Sequence, residues 1–353
     1  MLFDAPDFDA HEGVHWFADR ATGLRAIIAV HSTHLGPAAG GCRFWDYASD
    51  GAALTDALRL SRGMSYKNAM AGLPLGGGKA VILKREHKDA ALLEAFGSAI
   101  ESLSGKYVTA EDVGMTDHDM TVIARKTRHV SGLPVSPAAA GGNPGTAAAG
   151  GNPGPSTAEG VFLGIRAAIR HKLGRDNFNG VHVAIQGLGS VGMALAERLH
   201  AAGAKLTVAD IHPDRTARAA RDLGADVAGI RAILATKADV LSPCALGAVL
   251  DETSIAALNV PIVAGAANNQ LATPADGARV QARGILYAPD YVINAGGIIN
   301  VAAEYLGAGD AASVTAAIAR IEPRLADIFA TADADGRSTD VVADAMARAL
   351  IGR

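Results

Sequence analysis

Two lysines, Lys67 and Lys79, flank a turn at Leu73 and Pro74 and a run of three glycines, Gly76, Gly77 and Gly78. An acid, Asp112, follows in TAEDVG, and a second glycine motif, GLGSVG, begins at Gly187. A glycine run that leads straight into AVIL lets the backbone approach a ligand closely, because no Cβ stands in the way. Taken singly these are ordinary features, since a helical lysine is usually a solvated cation and an acid at a strand end is usually a loop charge. Together, two lysines, an acid and a dinucleotide-type turn point to hydride chemistry on a charged small molecule.

The elements that must position these groups follow in order. Residues 14–18 and 24–31 have the pattern of a β-hairpin whose loop is longer than the tight two-residue kind. Gly36-Pro37 and Gly40-Gly41 punctuate the next loop and would expose backbone N–H groups. Leu54, Ala57, Leu58 and Met64 recur at three- and four-residue intervals, which predicts a helix over 51–72 with Asp50 or Thr55 as its cap and Lys67 in its last turn or two. KAVIL reads as a buried strand with Lys79 at its entry, 90–103 as an amphipathic helix, and YVTAEDVGM as a strand that ends in Glu111 and Asp112.

From 134 to 155 the composition shifts to Ala, Gly, Pro, Asn and Thr, and AAAGGNPG occurs twice, at 138–145 and 147–154. Such a segment cannot bury a core and is expected to be a flexible surface loop. Ser156 and Thr157 would cap the helix that leads on to VHVAIQ, GLGSVG, a helix, and the strand AKLTVAD, which ends in an acid. Strand, GxGxxG, helix, strand and acid is the full context of a Rossmann βαβ unit. Gly187 would make the tight turn, Gly189 would admit a pyrophosphate and Gly192 would let helix pack on strand. The N–H groups of the helix start, around Ser190 and Val191, would meet the phosphates. Asp210 would bond a ribose 2′-OH and repel a 2′-phosphate, which favours NAD, although Arg215 is near. Later βα units end in small or amide residues, Cys244 and Ala245, Ala267 and Asn268, and Asn294, on the side where ligands bind in open α/β sheets.

A chain of 353 residues, 49% apolar, favours two domains. A net charge of −4 without a basic stripe argues against nucleic acid. No apolar run is long enough for a membrane helix, and the acidic start MLFDAPDFDA does not read as a signal peptide. Cys42 and Cys244 form no CxxC pair and read as free thiols of a cytoplasmic protein, and no set of residues has metal-ligand spacing.

GPAAGG, GMSYKNAMAGLPLGGGK, TAEDVG, GNPGPSTAEG, GLGSVG, SPCALG, GAANNQL and NAGGIINVA all look like blocks of the amino-acid dehydrogenases acting on glutamate, leucine, valine and phenylalanine. They fall in that family's order over almost the whole chain. The resemblance implies an α/β fold of two domains with a cleft between them. The substrate and assembly domain, with a mixed sheet, would span 1–135, the loop 136–155, and the Rossmann NAD domain 156–329, with the helix at about 330–353 returning to the first domain. It also implies a homo-oligomer. By the same resemblance Lys67 would bind the substrate carboxylate with backbone near Gly40 and Gly41, Lys79 would activate the water that attacks the imino carbon, and Asp112 would shuttle protons. Asn268 would help hold substrate against the nicotinamide.

Lys79 must then be a base part of the time, although free lysine titrates near 10.4; a neighbouring Lys67 cation and a partly desolvated glycine pocket would both favour its neutral form. Glutamate enzymes of the family typically carry a lysine where Ala39 stands, so an anionic side chain would be unpaired here, at several kcal/mol. Ala39, Ala110, Ile298 and Val301 match the side-chain pocket and imply an apolar substrate of the leucine, valine or isoleucine type. Phenylalanine is the alternative, because Ala39 is smaller than the leucine common there. A non-catalytic NAD-binding sensor would be expected to have lost Lys67, Lys79 or Asp112, and all three are present. Lys79→Ala is expected to abolish turnover with NADH affinity nearly kept; a comparable loss of NADH binding, measured by fluorescence titration, would remove the assigned role.

Overall fold

The computed structural model describes residues 2–5, 7–84, 87–133, 152–245, 247–307 and 310–353. The AAAGGNPG repeat lies outside the described residues up to position 151. The chain divides into two compact units, the first from the described residues of 1–151 with 300–314 and 347–353, the second from 152–299 with 315–346. Of the closing 330–353 segment, therefore, 347–353 alone packs with the first unit. Among the described residues no helix is long and apolar enough to cross a membrane.

The first unit is a mixed sheet of six strands: β1 (Gly13–Asp19), β2 (Leu24–Ser32), β3 (Ala38–Ala39), β4 (Cys42–Trp45), β5 (Gly76–Leu83) and β6 (Tyr107–Val108). β1, β2 and β5 run antiparallel in sequence, while β3 and β4 both lie parallel to β5, with Ala39 opposite Gly77 and Cys42 opposite Ala80. Strand alternation sends Ile28 and Ile82 to one face, where they meet Phe96, Ile100 and Met120 of helices α2 (Ala90–Ser102) and α3 (Asp117–Ile123). Ile27, Ala29 and Val81 take the other face and meet Ala53, Ala57 and Leu58 of α1 (Asp50–Met70).

Helix α1 starts neither at Thr55 nor through Asp50 as its cap: the Ser49 hydroxyl accepts from the Ala52 N–H. Further along, α1 buries a polar face. Ser61, Ser65 and Asn68 are fully buried, each with a partner: Ser61 bonds the Leu58 carbonyl, Ser65 meets His31 Nδ1 at 2.8 Å, and Asn68 donates to the Gly76 carbonyl at 2.6 Å. The three glycines are part of β5 itself, so Lys79 sits within the strand and not at its mouth. They also serve packing more than ligand approach. A Cβ at Gly76 would fall 1.9 Å from the Ser32 carbonyl, one at Gly77 2.0 Å from the Ser65 nitrogen, and one at Gly78 2.7 Å from the Tyr107 ring.

The second unit is a parallel sheet in the order β12-β11-β10-β7-β8-β9, formed by β7 (His182–Gln186), β8 (Lys205–Ala209), β9 (Asp226–Val227), β10 (Val240–Pro243), β11 (Ile262–Val263) and β12 (Leu286–Tyr287). Renumbered from the first strand this is 3-2-1-4-5-6, the doubly wound dinucleotide topology, whose switch point lies between β7 and β10. Its entry helix, α4 (Gly154–Leu173), begins before Ser156 and Thr157; Pro153 is its cap residue, and the Asn152 side chain accepts from the Gly154 N–H at 2.9 Å. The helix after the glycine motif is α5 (Ser190–Ala201).

Gly77→Ala is expected to destabilise the first unit by about 3 kcal/mol, since the clash is with backbone. Gly63→Ala, on α1 with nothing near its would-be Cβ, is expected to be neutral or stabilising. Urea unfolding followed by tryptophan fluorescence checks both, because Trp16 and Trp45, the chain's two tryptophans, lie in that unit.

Candidate active site

The first unit brings Lys79 and Asp112 together. Lys79 projects from the middle of β5 with 5% of its surface exposed, and its Nζ lies 2.6 Å from Asp112 Oδ2. Asp112 follows β6, which is shorter than expected; beyond Val108 the chain continues by bridges from Thr109 to Val130 and from Glu111 to Cys42. Burial by itself would raise the Asp112 carboxyl, but the Lys79 ammonium outweighs it, helped by the Arg43 guanidinium and the Val113 N–H, and holds the group below the ordinary carboxylate range.

Arg43, Tyr47 and Asp56 complete the cluster, and none was singled out from sequence. Arg43 Nε donates to Asp112 Oδ2 at 3.1 Å, Arg43 Nη1 donates to Asp56 Oδ2 at 2.8 Å, and the Tyr47 hydroxyl donates to the same Asp56 oxygen at 2.6 Å. The available signal was an arginine set between the apolar Cys42 and Phe44 in a strand, a place where a cation needs a carboxylate.

The loop before β4 is fitted to this pair. A Cβ on Gly41 would come within 2.9 Å of the Asp112 Cβ, and one on Gly40 within 1.8 Å of the Gly78 carbonyl. The Gly40 N–H donates to the Val108 carbonyl at 3.1 Å, and the Gly40 carbonyl accepts from the buried Tyr107 hydroxyl at 2.6 Å. Gly40 therefore anchors the loop with its N–H already bonded, which corrects the expectation that Gly40 exposes that group. Lys67 occupies the last turn of α1, half-buried, beside Asn68, which ties the helix to Gly76. Ala39 is buried with Leu75, Val108 and Ala302, and Tyr305 packs on this cluster. Val301 and Ile298 are half-buried on helix α6 (Gly296–Tyr305), Val301 in the first unit and Ile298 in the second, and Ala110 accepts from the Cys42 N–H at 2.8 Å.

In the second unit the three motif glycines have three separate reasons. Gly187 has φ of +96°, a turn that disfavours a side chain. A Cβ on Gly192 would fall 2.0 Å from the Gly187 carbonyl, so that glycine is required by packing. Gly189 has nothing within 4 Å of its would-be Cβ, so the fold itself makes no demand for glycine there. Gly189 caps α5 ahead of Ser190 and Val191, and a groove of about 470 Å³ runs past Leu188, Gly189, Ser190, Met193 and Arg215. Asp210 Oδ2 accepts from the Leu188 N–H at 2.6 Å and Oδ1 from the His212 N–H at 2.8 Å, with Arg215 Nη1 3.7 Å away. At the other strand ends, Cys244 and Ala267 are fixed by backbone bonds to Gln186 and Pro243, and a Cβ on Gly187 would touch that of Ala245 at 2.7 Å. Asn294 Nδ2 donates to Asn268 Oδ1 at 2.9 Å, while Asn294 Oδ1 is buried with no partner among the described residues. An open glycine at a helix start, an acid after β8 and an orphaned amide oxygen at the far strand end all fit a dinucleotide.

A mixed-sheet unit with a buried lysine–aspartate pair and a doubly wound unit with a dinucleotide turn define a two-domain, nicotinamide-dependent dehydrogenase. Two sequence profiles match: "Glu/Leu/Phe/Val dehydrogenase, dimerisation domain" over residues 12–129 and "Glutamate/Leucine/Phenylalanine/Valine dehydrogenase" over 215–349. The chain is 44% identical to a leucine dehydrogenase of Thermoactinomyces intermedius, covering 99% of this chain and 93% of that one. It is also 44% identical to a valine dehydrogenase of Streptomyces virginiae, covering 97% and 94%. The crystal structure of L-tryptophan dehydrogenase from Nostoc punctiforme superposes with a TM-score of 0.86 at 39% identity, covering 97% and 96%. The chain belongs to the Glu/Leu/Phe/Val family of amino-acid dehydrogenases.

Gly189→Ala is expected to leave the melting temperature unchanged and to weaken NADH binding about tenfold or more, a loss of 1.4 kcal/mol or greater. Calorimetric melting and NADH titration on the same sample check the pair of outcomes.

Proposed function

We propose that the chain catalyses the reversible, NAD-dependent oxidative deamination of a branched-chain apolar L-amino acid, of the leucine type, to the 2-oxo acid and ammonia. The observation that carries the proposal is the contact of Lys79 with Asp112 at 2.6 Å, buried beside the Gly40–Gly41 loop. Lys67 pairs the substrate carboxylate. Asp112, an ionised acceptor, takes the proton that the substrate ammonium must lose before its Cα–H can leave as hydride. The nicotinamide, when bound, supplies the hydride acceptor. Lys79, neutral once its own proton has passed to solvent, then takes a proton from the water that adds to the imino carbon; Asp112 returns a proton to the nitrogen and takes the hydroxyl proton as ammonia leaves and the carbonyl forms. Asn268, held by Asn294, orients the substrate. The 2.6 Å contact sets the proton carriers of the two half-reactions, Asp112 and Lys79, side by side.

Ala39 supports an apolar side chain: it is buried among Leu75, Val108 and Ala302, and its methyl cannot pair a second carboxylate. An aromatic substrate is the second reading, favoured by the smallness of Ala39 and Ala302. Asp210 supports NAD over NADP, because a 2′-phosphate would meet an acid whose two oxygens are already fixed. The first unit would carry substrate and the second the dinucleotide. The dimerisation description of the first profile supports a homo-oligomer, and two unpaired cysteines suit a cytoplasmic setting.

NADH formation at alkaline pH tests this directly across leucine, valine, isoleucine, phenylalanine, tryptophan, glutamate and alanine, with NAD and NADP in parallel. Leucine with NAD is expected to give the highest rate, and glutamate a rate lower by at least about a hundredfold, as an unpaired carboxylate costing several kcal/mol requires. Silence across the panel with NAD still bound, or 2-oxo acid reduction without ammonium, would overturn the proposal.

A further inference from the structure

Asp112 carries two cations on one oxygen. Lys79 Nζ and Arg43 Nε approach the same Oδ2, at 2.6 and 3.1 Å. One cation suffices to hold a half-buried carboxylate as an ion, and a second cation means that the charge is still paired when the first is lost. Resting on the proposed function, in which Lys79 passes through a neutral form in every cycle, we propose that Arg43 is a positioning residue for this reaction: the permanent cation that fixes Asp112 and keeps it ionised while Lys79 has no charge.

The two cations are not equivalent. A lysine ammonium can give up its proton, whereas a guanidinium stays charged throughout the working range. Arg43 is also held at its far end. Its Nη1 bonds Asp56, whose Oδ2 takes the Tyr47 hydroxyl as well, so the guanidinium plane is set by two acids and cannot swing away with the substrate. β4 fixes the height of the side chain, because Arg43 lies opposite Val81 while Cys42 lies opposite Ala80, next to Lys79. Asp56 belongs to α1, the helix whose last turn carries Lys67, so one chain of bonds runs from that helix through Asp56 and Arg43 to Asp112. With Lys79 charged, Arg43, Lys79, Asp56 and Asp112 sum to zero. With Lys79 neutral and Arg43 absent, the Asp112 carboxylate would have neither of these cations against it, and the proton it takes from the substrate would stay on it instead of returning to the departing nitrogen.

The groups that face Asp112 are Lys79 from β5, Arg43 and Cys42 from β4, Tyr107 from β6 and Glu111 beside it. Burial pushes the Cys42 thiol and the Tyr107 hydroxyl up, so both remain neutral in the assay range. Glu111, pushed up to about 7 by burial and by Asp117, titrates near neutrality and must be controlled for.

The test is the pH profile of kcat and kcat/KM for leucine oxidation in the wild type, R43Q, R43K and, as the Glu111 control, E111Q. R43Q is expected to lower kcat roughly tenfold to a hundredfold. The leucine KM is expected to change less than about threefold, because Arg43 touches the acid and not the substrate. Its acid limb is expected to move up by about one pH unit, since Asp112 has lost a cation. R43K should restore the limb and part of kcat. An R43Q profile that is merely scaled down, with its limb where the wild type has it, would assign Arg43 a structural role and overturn the inference. Independently of turnover, the ¹³C carboxyl resonance of Asp112, assigned with D112N, should titrate at higher pH in R43Q, or to a smaller extent in D56N if R43Q does not fold. An unchanged midpoint overturns the inference. A wild type that oxidises no amino acid overturns the proposed function alone, and the carboxyl titration still decides the role of Arg43.

Discussion

The first unit depends on how closely α1 can lie against β5. A helix normally stands off a strand by the thickness of two side-chain layers, but at Gly77 the strand's layer is missing, and the Ser65 backbone occupies the space where a Gly77 Cβ would be. The helix face turned to the strand is accordingly polar, with Ser61, Ser65 and Asn68 bonding the Leu58 carbonyl, His31 and the Gly76 carbonyl. Hydrophobic burial still holds the helix in place through Ala53, Ala57 and Leu58, one to four turns earlier. The result is a helix whose first half is fixed by packing and whose second half is fixed by geometry, and Lys67 sits at the end of the second half.

The charged cluster is organised around that arrangement. Lys79 lies one residue beyond the glycines, on a strand buried along nearly its whole length, and its ammonium would be costly there without Asp112. Asp112 in turn is supported from β4 by Arg43 and from the loop by Gly41, whose missing side chain leaves the carboxylate room to reach Lys79. A single site is thus assembled from four segments, each placed by a different part of the sheet, and its net charge is balanced within a few ångströms.

What could be read from sequence was what is local. Strand, glycine turn, helix and acid lie within a few dozen residues of one another in the second unit, and each was recognisable because its physical requirement is met by neighbours in sequence. Lys67, Lys79 and Asp112 were recognisable as residue types in motifs. The errors arose where a requirement is met from far away. The glycine run reads as a ligand approach, but its real partners, Ser65 and Tyr107, come from a helix and from a distant strand. Ser49 was overlooked as a cap because it precedes the apolar pattern that marks the helix. Arg43, between apolar neighbours, signals that a carboxylate is needed but not which one, because its two acids lie 13 and 69 residues away and nothing in spacing reveals an ion pair across that distance. Gly40 was credited with a free N–H that the Val108 carbonyl already takes.

The acid after β8 has a consequence for redesign. Asp210 is bonded through both oxygens to the N–H groups of Leu188 and His212, one in the glycine turn and one in its own loop, so the residue that would select the cofactor also staples together the two loops that form the cofactor's seat. Dinucleotide preference and loop integrity are therefore a single property of this chain. Exchanging the acid for a neutral side chain to welcome an extra phosphate would unfasten the glycine turn at the same stroke, and a change of cofactor would have to arrive together with a new clasp for Leu188.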